Sequence, residues 1–289
     1  MTIQSIGVVG LGNMGLGMAA TLVRKGFAVT GYDISEARKA AVEAEGVRFA
    51  SSLTDLLSGA DALVFSLPLA RDVEAVVATP GGLLERTDRR VVVIDTSTSD
   101  PGTTRRLATR LAEAGHALLD APVSGGPSGA AQGTLTMMVG GAPDDYALAE
   151  PVLAAMSARA IHVGPSGAGN IVKLVNNLLV AAHLITTGEA MRLSEVAGLS
   201  AQEAVAVINT ATGRSAISEV MFPRWVLPGT FDSGFSAGLM RKDVRLALEL
   251  AAESGVDLPL SALVAKIWET TRERIPDAAD FTRMADYRN

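Results

Sequence analysis

Three short stretches of this 289-residue chain carry residues whose types and spacing can do chemistry. The first is "GLGNMG", comprising Gly10, Leu11, Gly12, Asn13, Met14 and Gly15, with glycines spaced G-x-G-x-x-G. In such a turn the first glycine permits a tight bend and the second lets the backbone approach a pyrophosphate. The third lets helix and strand pack closely. The second stretch ends on Asp33, 18 residues beyond Gly15. A carboxylate there can accept hydrogen bonds from the ribose hydroxyls of an adenosine, and it would repel a 2′-phosphate. Turn and acid together predict NAD as cofactor, in preference to NADP. The third stretch is "GAGNIVKLVNN", in which Lys173 stands one turn ahead of Asn177 on an otherwise apolar helix pattern.

Hydride transfer to or from an alcohol carbon needs a group that takes the hydroxyl proton and returns it in reverse. Lys173 sits one turn into a helix, where the positive dipole end disfavours a further cation, and among apolar residues that disfavour charge. Both effects predict a lowered pKa. Asn177, four residues on, shares its face and reaches the same ligand. Only five of the 25 basic residues are lysines, so the choice of lysine here is informative. Taken by itself, the local sequence equally allows a helix-start cation that reaches solvent. The three histidines, His116, His162 and His183, read as structural.

The elements that must position these residues follow from the pattern. Ile6 to Val9 is a β-branched run before the glycine turn, a helix continues to Lys25 with Gly26 as its cap, and "AVTGYD" is a second strand. Further strands lie at 61–68, 90–95, 116–122 and 134–141, with helices at 103–114 and 144–156 between them. Alternation of this kind predicts a Rossmann-like, mostly parallel sheet covered on both faces. Ligands of such sheets bind beyond the carboxyl ends of the strands. Leu67, Pro68 and Thr96 to Thr98 fall there and read either as cofactor contacts or as ordinary loop residues. Beyond residue 165 the pattern is helical, at 170–197, 201–212, 241–254 and 260–274, with a long loop at 222–236. The expected organisation is an α/β domain, 1–165, joined by the long helix to an all-helical domain, 166–289.

Composition narrows the function classes. A chain with 48 % hydrophobic and 19 % charged residues is not disordered. A net charge of −6 with no basic patch argues against a nucleic-acid or anionic-membrane partner. Without cysteine there is no disulfide, thiolate nucleophile or thiolate metal site. No metal is expected, since no H-x-x-x-H and no carboxylate cluster at ligand spacing occurs. The longest apolar run, Ile171 to Ile185, is interrupted by Lys173, Asn176, Asn177 and His183, so it is not read as a membrane span. The expectation is a soluble, cytoplasmic protein.

Four motifs, in order and covering nearly the whole chain, resemble the β-hydroxyacid dehydrogenase family of the 3-hydroxyisobutyrate dehydrogenase and tartronate semialdehyde reductase type. They are "GLGNMGLGMAATLVRKG", "DAPVSGG" (Asp120 to Gly126), "GAGNIVKLVNN" and "FSAGLMRKDVRLAL" (Phe235 to Leu248). The resemblance implies that Lys173 is the catalytic group. It implies that Ser124, Gly125 and Gly126 hold the substrate carboxylate and that Asn177 holds the substrate near the lysine. Lys242 would lie near the nicotinamide, and Leu67, Pro68 and Thr98 would contact NAD. The NADP-using branch tends to carry Asn-Arg followed by Thr or Ser where this chain has Tyr32 to Ser35, "YDIS", which again favours NAD. Consecutive backbone N–H groups freed by glycine suit a carboxylate on physical grounds as well. The expected activity is NAD-dependent interconversion of a short 3-hydroxy acid and its semialdehyde by a homodimer or homotetramer. A non-catalytic NAD binder and an imine-reductase-like enzyme are the alternatives.

Overall fold

The computed structural model describes residues 3–86 and 88–288. Strand β1 (Ser5–Val9) is buried after its first residue and runs through the glycine turn into α1 (Asn13–Arg24). Gly26, at φ 92°, ends that helix in a left-handed conformation and donates its N–H to Val23. The chain continues through β2 (Ala28–Tyr32), α2 (Lys39–Ala44), β3 (Arg48–Phe49), α3 (Leu53–Gly59), β4 (Ala62–Phe65), α4 (Ala70–Val77), β5 (Val92–Asp95), α5 (Pro101–Glu113) and β6 (Ala117–Asp120). These six strands pair in the order β3-β2-β1-β4-β5-β6, all parallel. Strands β4, β5 and β6 are buried at every residue, as a sheet covered on both faces requires. The strand order reverses between β1 and β4, so the crevice beyond their carboxyl ends is where a ligand of this topology binds.

The sheet is extended by β7 (Val123–Ser124), α6 (Gly126–Gln132), β8 (Leu135–Gly140), α7 (Pro143–Met156) and β9 (Ser157–Gly164). Strand β8 lies antiparallel to β6 and β7 and parallel to β9, which makes the sheet mixed at one edge. His162 lies within β9, a strand that the sequence pattern does not announce. Its segment is hard to read as β because it carries little buried apolar side chain, Ile161 being 48 % exposed. One face of the sheet packs Ile6, Val8, Val64, Ile94 and Leu119 with Met18 and Leu22 of α1. The other packs Val9, Leu63, Phe65 and Val93 with Leu56, Val73 and Leu107 from the helices opposite.

Helix α8 (Ala168–Val196) runs on from this first compact unit, which ends at Lys173, into a second that begins at Leu174. The second unit is helical, with α9 (Ala201–Ile208), α10 (Ala237–Glu253) and α11 (Pro259–Thr270). Its core joins Ala181, Leu184 and Ile185 of α8 to Phe222, Met240, Val244, Trp268, Phe281 and Met284. Although α8 is long and apolar enough to cross a bilayer by length and composition alone, these side chains are spent on the unit's own core. A Cβ at Gly188 would stand 1.9 Å from the Ala285 carbonyl oxygen, so the C-terminal segment crosses α8 at backbone distance. Buried Arg241 donates to the carbonyls of Trp268 and Ile275 and pairs with Asp277, tying α10 to the end of α11.

The expected loop at 222–236 is corrected at its start. Residues Ile217–Val226 form a π-helical turn with Pro223 inside it. A π-helix bonds each carbonyl to the N–H five residues on, and proline has none to offer Ser218. The Asn209 amide donates to the Ser218 oxygen in its place, at 3.0 Å. Proline is a reliable breaker only where no side chain satisfies the carbonyl it leaves orphaned.

Candidate cofactor and active site

At the crevice end of β1 the glycines are required by geometry. Gly10 has φ 87°, and a Cβ there would lie 2.4 Å from the Ser66 oxygen. A Cβ at Gly15 would lie 1.8 Å from the Gly10 oxygen, so α1 reaches the turn only because Gly15 has no side chain. Gly12 differs: a Cβ there meets only the tip of Arg38, at 3.9 Å. The start of α1 has no side-chain cap and no acid in its first turn, which leaves its N-terminal dipole to an anion. Asp33 accepts a hydrogen bond from the Leu11 N–H at 2.7 Å through one oxygen and from the Ser35 N–H at 2.9 Å through the other. The acid thus braces the turn it serves, and each oxygen keeps a lone pair for a ribose hydroxyl. Leu11 is fully buried, so only its backbone faces the turn, and Met14 packs partly onto the core while Asn13 is exposed.

Leu67 and Pro68 follow β4, and Thr98 follows β5, on adjacent parallel strands. The two strand ends are pinned together, because the Leu67 N–H donates to Ser97 Oγ at 3.0 Å and Thr96 Oγ1 donates to the Phe65 carbonyl at 2.6 Å. Open space at Gly12, an uncapped helix start and an acid at the end of β2 fit NAD. Gly10 to Gly15 would hold its pyrophosphate and Asp33 its adenosine ribose.

Lys173 is 8 % exposed, and its Nζ donates to the Val123 carbonyl at 2.8 Å. Ser124, Gly125 and Gly126 follow directly, with φ of 127° and 63° at the two glycines, and lead into α6. The lysine and the glycine turn of "DAPVSGG" are thereby brought together. Asp120, in the same segment, is fully buried and accepts the N–H of Gly167 at 2.8 Å and of Asn170 at 3.0 Å. Burial pushes its carboxyl above the ordinary carboxylate value, against the opposing pull of these N–H groups and that of Gly169.

In the second unit, buried Asn177 donates through Nδ2 to Asp243 at 2.6 Å, and Asn176 donates to Asn177 Oδ1 at 3.1 Å. Lys242 Nζ lies 3.3 Å from the same Asp243 carboxylate. A buried acid therefore orients both polar residues of this unit that the sequence singles out. Two of the histidines hold structure: His116 accepts from the Val91 N–H and contacts the Leu83 carbonyl, and His162 contacts the Gly141 carbonyl, whereas His183 is exposed on α8. Among the described residues no group of three or more acidic or histidine side chains is placed to hold a metal.

Asp120, Asn170 and Asp243 escape sequence reasoning as separate positions. Asp120, Asn170 and Asp243 stand inside quoted motifs, but their partners are 47 to 71 residues away and leave no local periodicity.

This sheet, turn and acid define a dinucleotide-binding unit followed by a helical one, and comparison with known proteins sharpens that class. Residues 5–164 match the family described as the NAD binding domain of 6-phosphogluconate dehydrogenase. Residues 167–287 match the family described as NAD-binding of NADP-dependent 3-hydroxyisobutyrate dehydrogenase. The chain is 38 % identical to 2-(hydroxymethyl)glutarate dehydrogenase of Eubacterium barkeri, over 92 % of this chain and 89 % of that protein. It is 36 % identical to an NAD-dependent L-serine dehydrogenase of Pseudomonas aeruginosa, over 92 % and 91 %. A Mycobacterium tuberculosis 3-hydroxyisobutyrate dehydrogenase solved with L-serine superposes with a TM-score of 0.90 at 34 % identity, over 99 % of both chains. The chain belongs to the β-hydroxyacid dehydrogenase family and is an NAD-dependent hydroxy-acid dehydrogenase.

Proposed function

We propose that the enzyme interconverts a short acid bearing a hydroxymethyl group beside its carboxylate and the matching semialdehyde, with Lys173 as general acid–base. 3-Hydroxyisobutyrate and glycerate, the latter paired with tartronate semialdehyde, are the type substrates. The observation that carries this reading is the Lys173 Nζ held on the Val123 carbonyl, one residue ahead of Ser124 to Gly126. Bound NAD supplies the hydride acceptor. In the forward direction Lys173, as the free amine, takes the hydroxyl proton; in reverse the ammonium returns it. The N–H groups of Ser124, Gly125 and Gly126 hold the substrate carboxylate, and Asn177 donates to the substrate beside the lysine. Lys242 stands near the nicotinamide, and Leu67, Pro68 and Thr98 contact the cofactor. The substrates in the relatives' names support the reading: 2-(hydroxymethyl)glutarate, L-serine and 3-hydroxyisobutyrate all carry a hydroxymethyl group on the carbon next to a carboxylate.

The test is NADH formation with 3-hydroxyisobutyrate, glycerate, 3-hydroxypropionate, L-serine and 2-(hydroxymethyl)glutarate, with 4-hydroxybutyrate as the control that places the alcohol too far from the acid. Turnover of the first group and not of the control supports the class; turnover of the control alone overturns it.

Asp33 sets the cofactor preference in this reading. Asp33→Ala is expected to weaken NAD by about tenfold or more, the effect of losing a charge-assisted hydrogen bond and the brace on Leu11. NADP should be weakened less, as repulsion of its 2′-phosphate is relieved. An unchanged ratio of the two dissociation constants would contradict the assignment.

Cytoplasmic location and a homodimer or homotetramer complete the proposal. The second unit exposes Leu193, Val196, Val207 and Leu260, each at least 66 % accessible, which favours burial against another copy. Light scattering at micromolar concentration should give a multiple of 29.8 kDa, and a monomer would refute it.

A further inference from the structure

We propose that Asp120 is a positioning residue, whose carboxylate fixes the first turn of α8 and thereby sets where the Lys173 ammonium stands. The proposal rests on the reading of Lys173 as the acid–base. Among the described residues, α3, α5, α9 and α10 take a side-chain cap from the residue just ahead of their own first: Ser52, Asp100, Ser200 and Ser236. Helix α8 is capped from a distance. Gly167 and Asn170 are its N-cap and third residues, and both N–H groups go to Asp120, on a strand end about 50 residues earlier.

The housing of this carboxylate is specific. A Cβ at Gly140 would stand 2.5 Å from one of its oxygens, and a Cβ at Gly169 would stand 2.9 Å from the other. The side chain at 140 is therefore given up to admit it, whereas Gly169 is kept bare first by the Met138 and Asp120 carbonyl oxygens, 2.3 and 2.5 Å from such a Cβ. The carboxylate is buried completely despite the cost that raises its pKa. Asn170 adds a second tie from the same turn, accepting the Ser99 N–H at 3.0 Å and donating to Thr104 Oγ1 at 3.1 Å. Ordinary helix stability needs none of this, as the four local caps demonstrate. What the distant cap adds is registration. Asp120 grips the backbone of the turn, and Val123, three residues later, accepts from the Nζ at its far end. The segment that presents Ser124 to Gly126 thus holds the lysine at both its root and its tip.

The test is a double-mutant cycle of Asp120→Asn and Lys173→Ala, read by single-turnover hydride transfer with NAD and the best substrate of the panel. Asp120→Asn replaces one acceptor oxygen with a donor that faces an N–H. It is expected to lower the transfer rate by about 10- to 100-fold, the scale of an ångström of misplacement. KM and NAD affinity should stay within about twofold. In the Lys173→Ala background it should cost less than about twofold more, because the group it positions is gone. A wild-type rate in Asp120→Asn, or its full loss repeated on top of Lys173→Ala, overturns the proposal. A wild-type rate in Lys173→Ala instead overturns the reading of the lysine.

A second measurement does not depend on turnover. Acetic anhydride labelling of Lys173, read by peptide mass against Lys25 and Lys39, should be several-fold faster in Asp120→Asn than in wild type. Equal labelling refutes the placement. Should Asp120→Asn fail to fold, Asn170→Ala keeps the carboxylate cap and removes only the Ser99 and Thr104 ties. It is expected to raise the labelling rate in the same direction, and an unchanged rate there counts against the proposal.

Discussion

Lys173→Ala is expected to lower kcat by about 10²- to 10⁴-fold, the usual worth of a positioned general acid–base, while NAD titrated by fluorescence quenching binds as before. The Nζ donates to Val123, while the glycine turn of β1 is braced by Asp33 through the Leu11 N–H, so loss of the lysine leaves that brace in place. Alanine is the best helix former, and α8 therefore keeps its first turn. The orphaned Val123 carbonyl costs about 1–3 kcal/mol if it stays dry, a loss that a thermal scan registers separately from kcat. Lys173→Arg is expected to recover little, since a guanidinium does not give up its proton at working pH. If Lys173→Ala turns over at the wild-type rate, another group moves the proton.

Gly15→Ala is the substitution with the largest expected effect on cofactor binding. Its new methyl would start 1.8 Å from the Gly10 oxygen, with Ser66 Cβ 3.2 Å away. Neither neighbour is a flexible side-chain tip, so α1 must move off β1. The cost is about 1–3 kcal/mol or more, a fall of about 2–4 °C in Tm for each kcal/mol. The proposed pyrophosphate cradle moves with the helix, and NAD binding is expected to be lost at millimolar cofactor. Gly12→Ala is the instructive contrast: it meets no protein atom closer than 3.9 Å. That variant should fold with an unchanged Tm and still bind NAD poorly, because in the proposed reading the space it fills is the cofactor's. Equal losses of stability in the two variants would show that Gly12 is structural.

Much of this was legible in the sequence because it is written locally. The turn from Gly10 to Gly15, the acid at 33 and the alternation of strands and helices each occupy a window shorter than a βαβ unit. Lys173 was legible as a polar residue out of place on an apolar helix. Long-range bonds were not. Asp120 acts on residues 167 and 170, and Asp243 acts on Asn177 from 66 residues away. Such partners meet only after the sheet and the helices have packed, and no periodicity announces them. The π-turn at Ile217–Val226 was hidden for the same reason, since the Asn209 amide that compensates Pro223 stands 14 residues before it. Strand β9 was obscured by a different cause, a solvated strand whose side chains carry little of the buried pattern.

The closeness of Gly188 to Ala285 has a consequence for how the chain is made. Phe281, Met284, Ala285 and Tyr287 are buried in the second unit's core, and the Tyr287 hydroxyl donates to Glu189 at 2.7 Å. On a translating ribosome the first unit has all its strands once residue 164 has emerged, and it can fold as a domain ahead of the rest. The second cannot close until residues 281–287 have emerged as well, because α8 packs against them. Until then α8 presents Leu184 and Ile185 unpaired, and that interval is when a nascent chain of this enzyme most needs a chaperone.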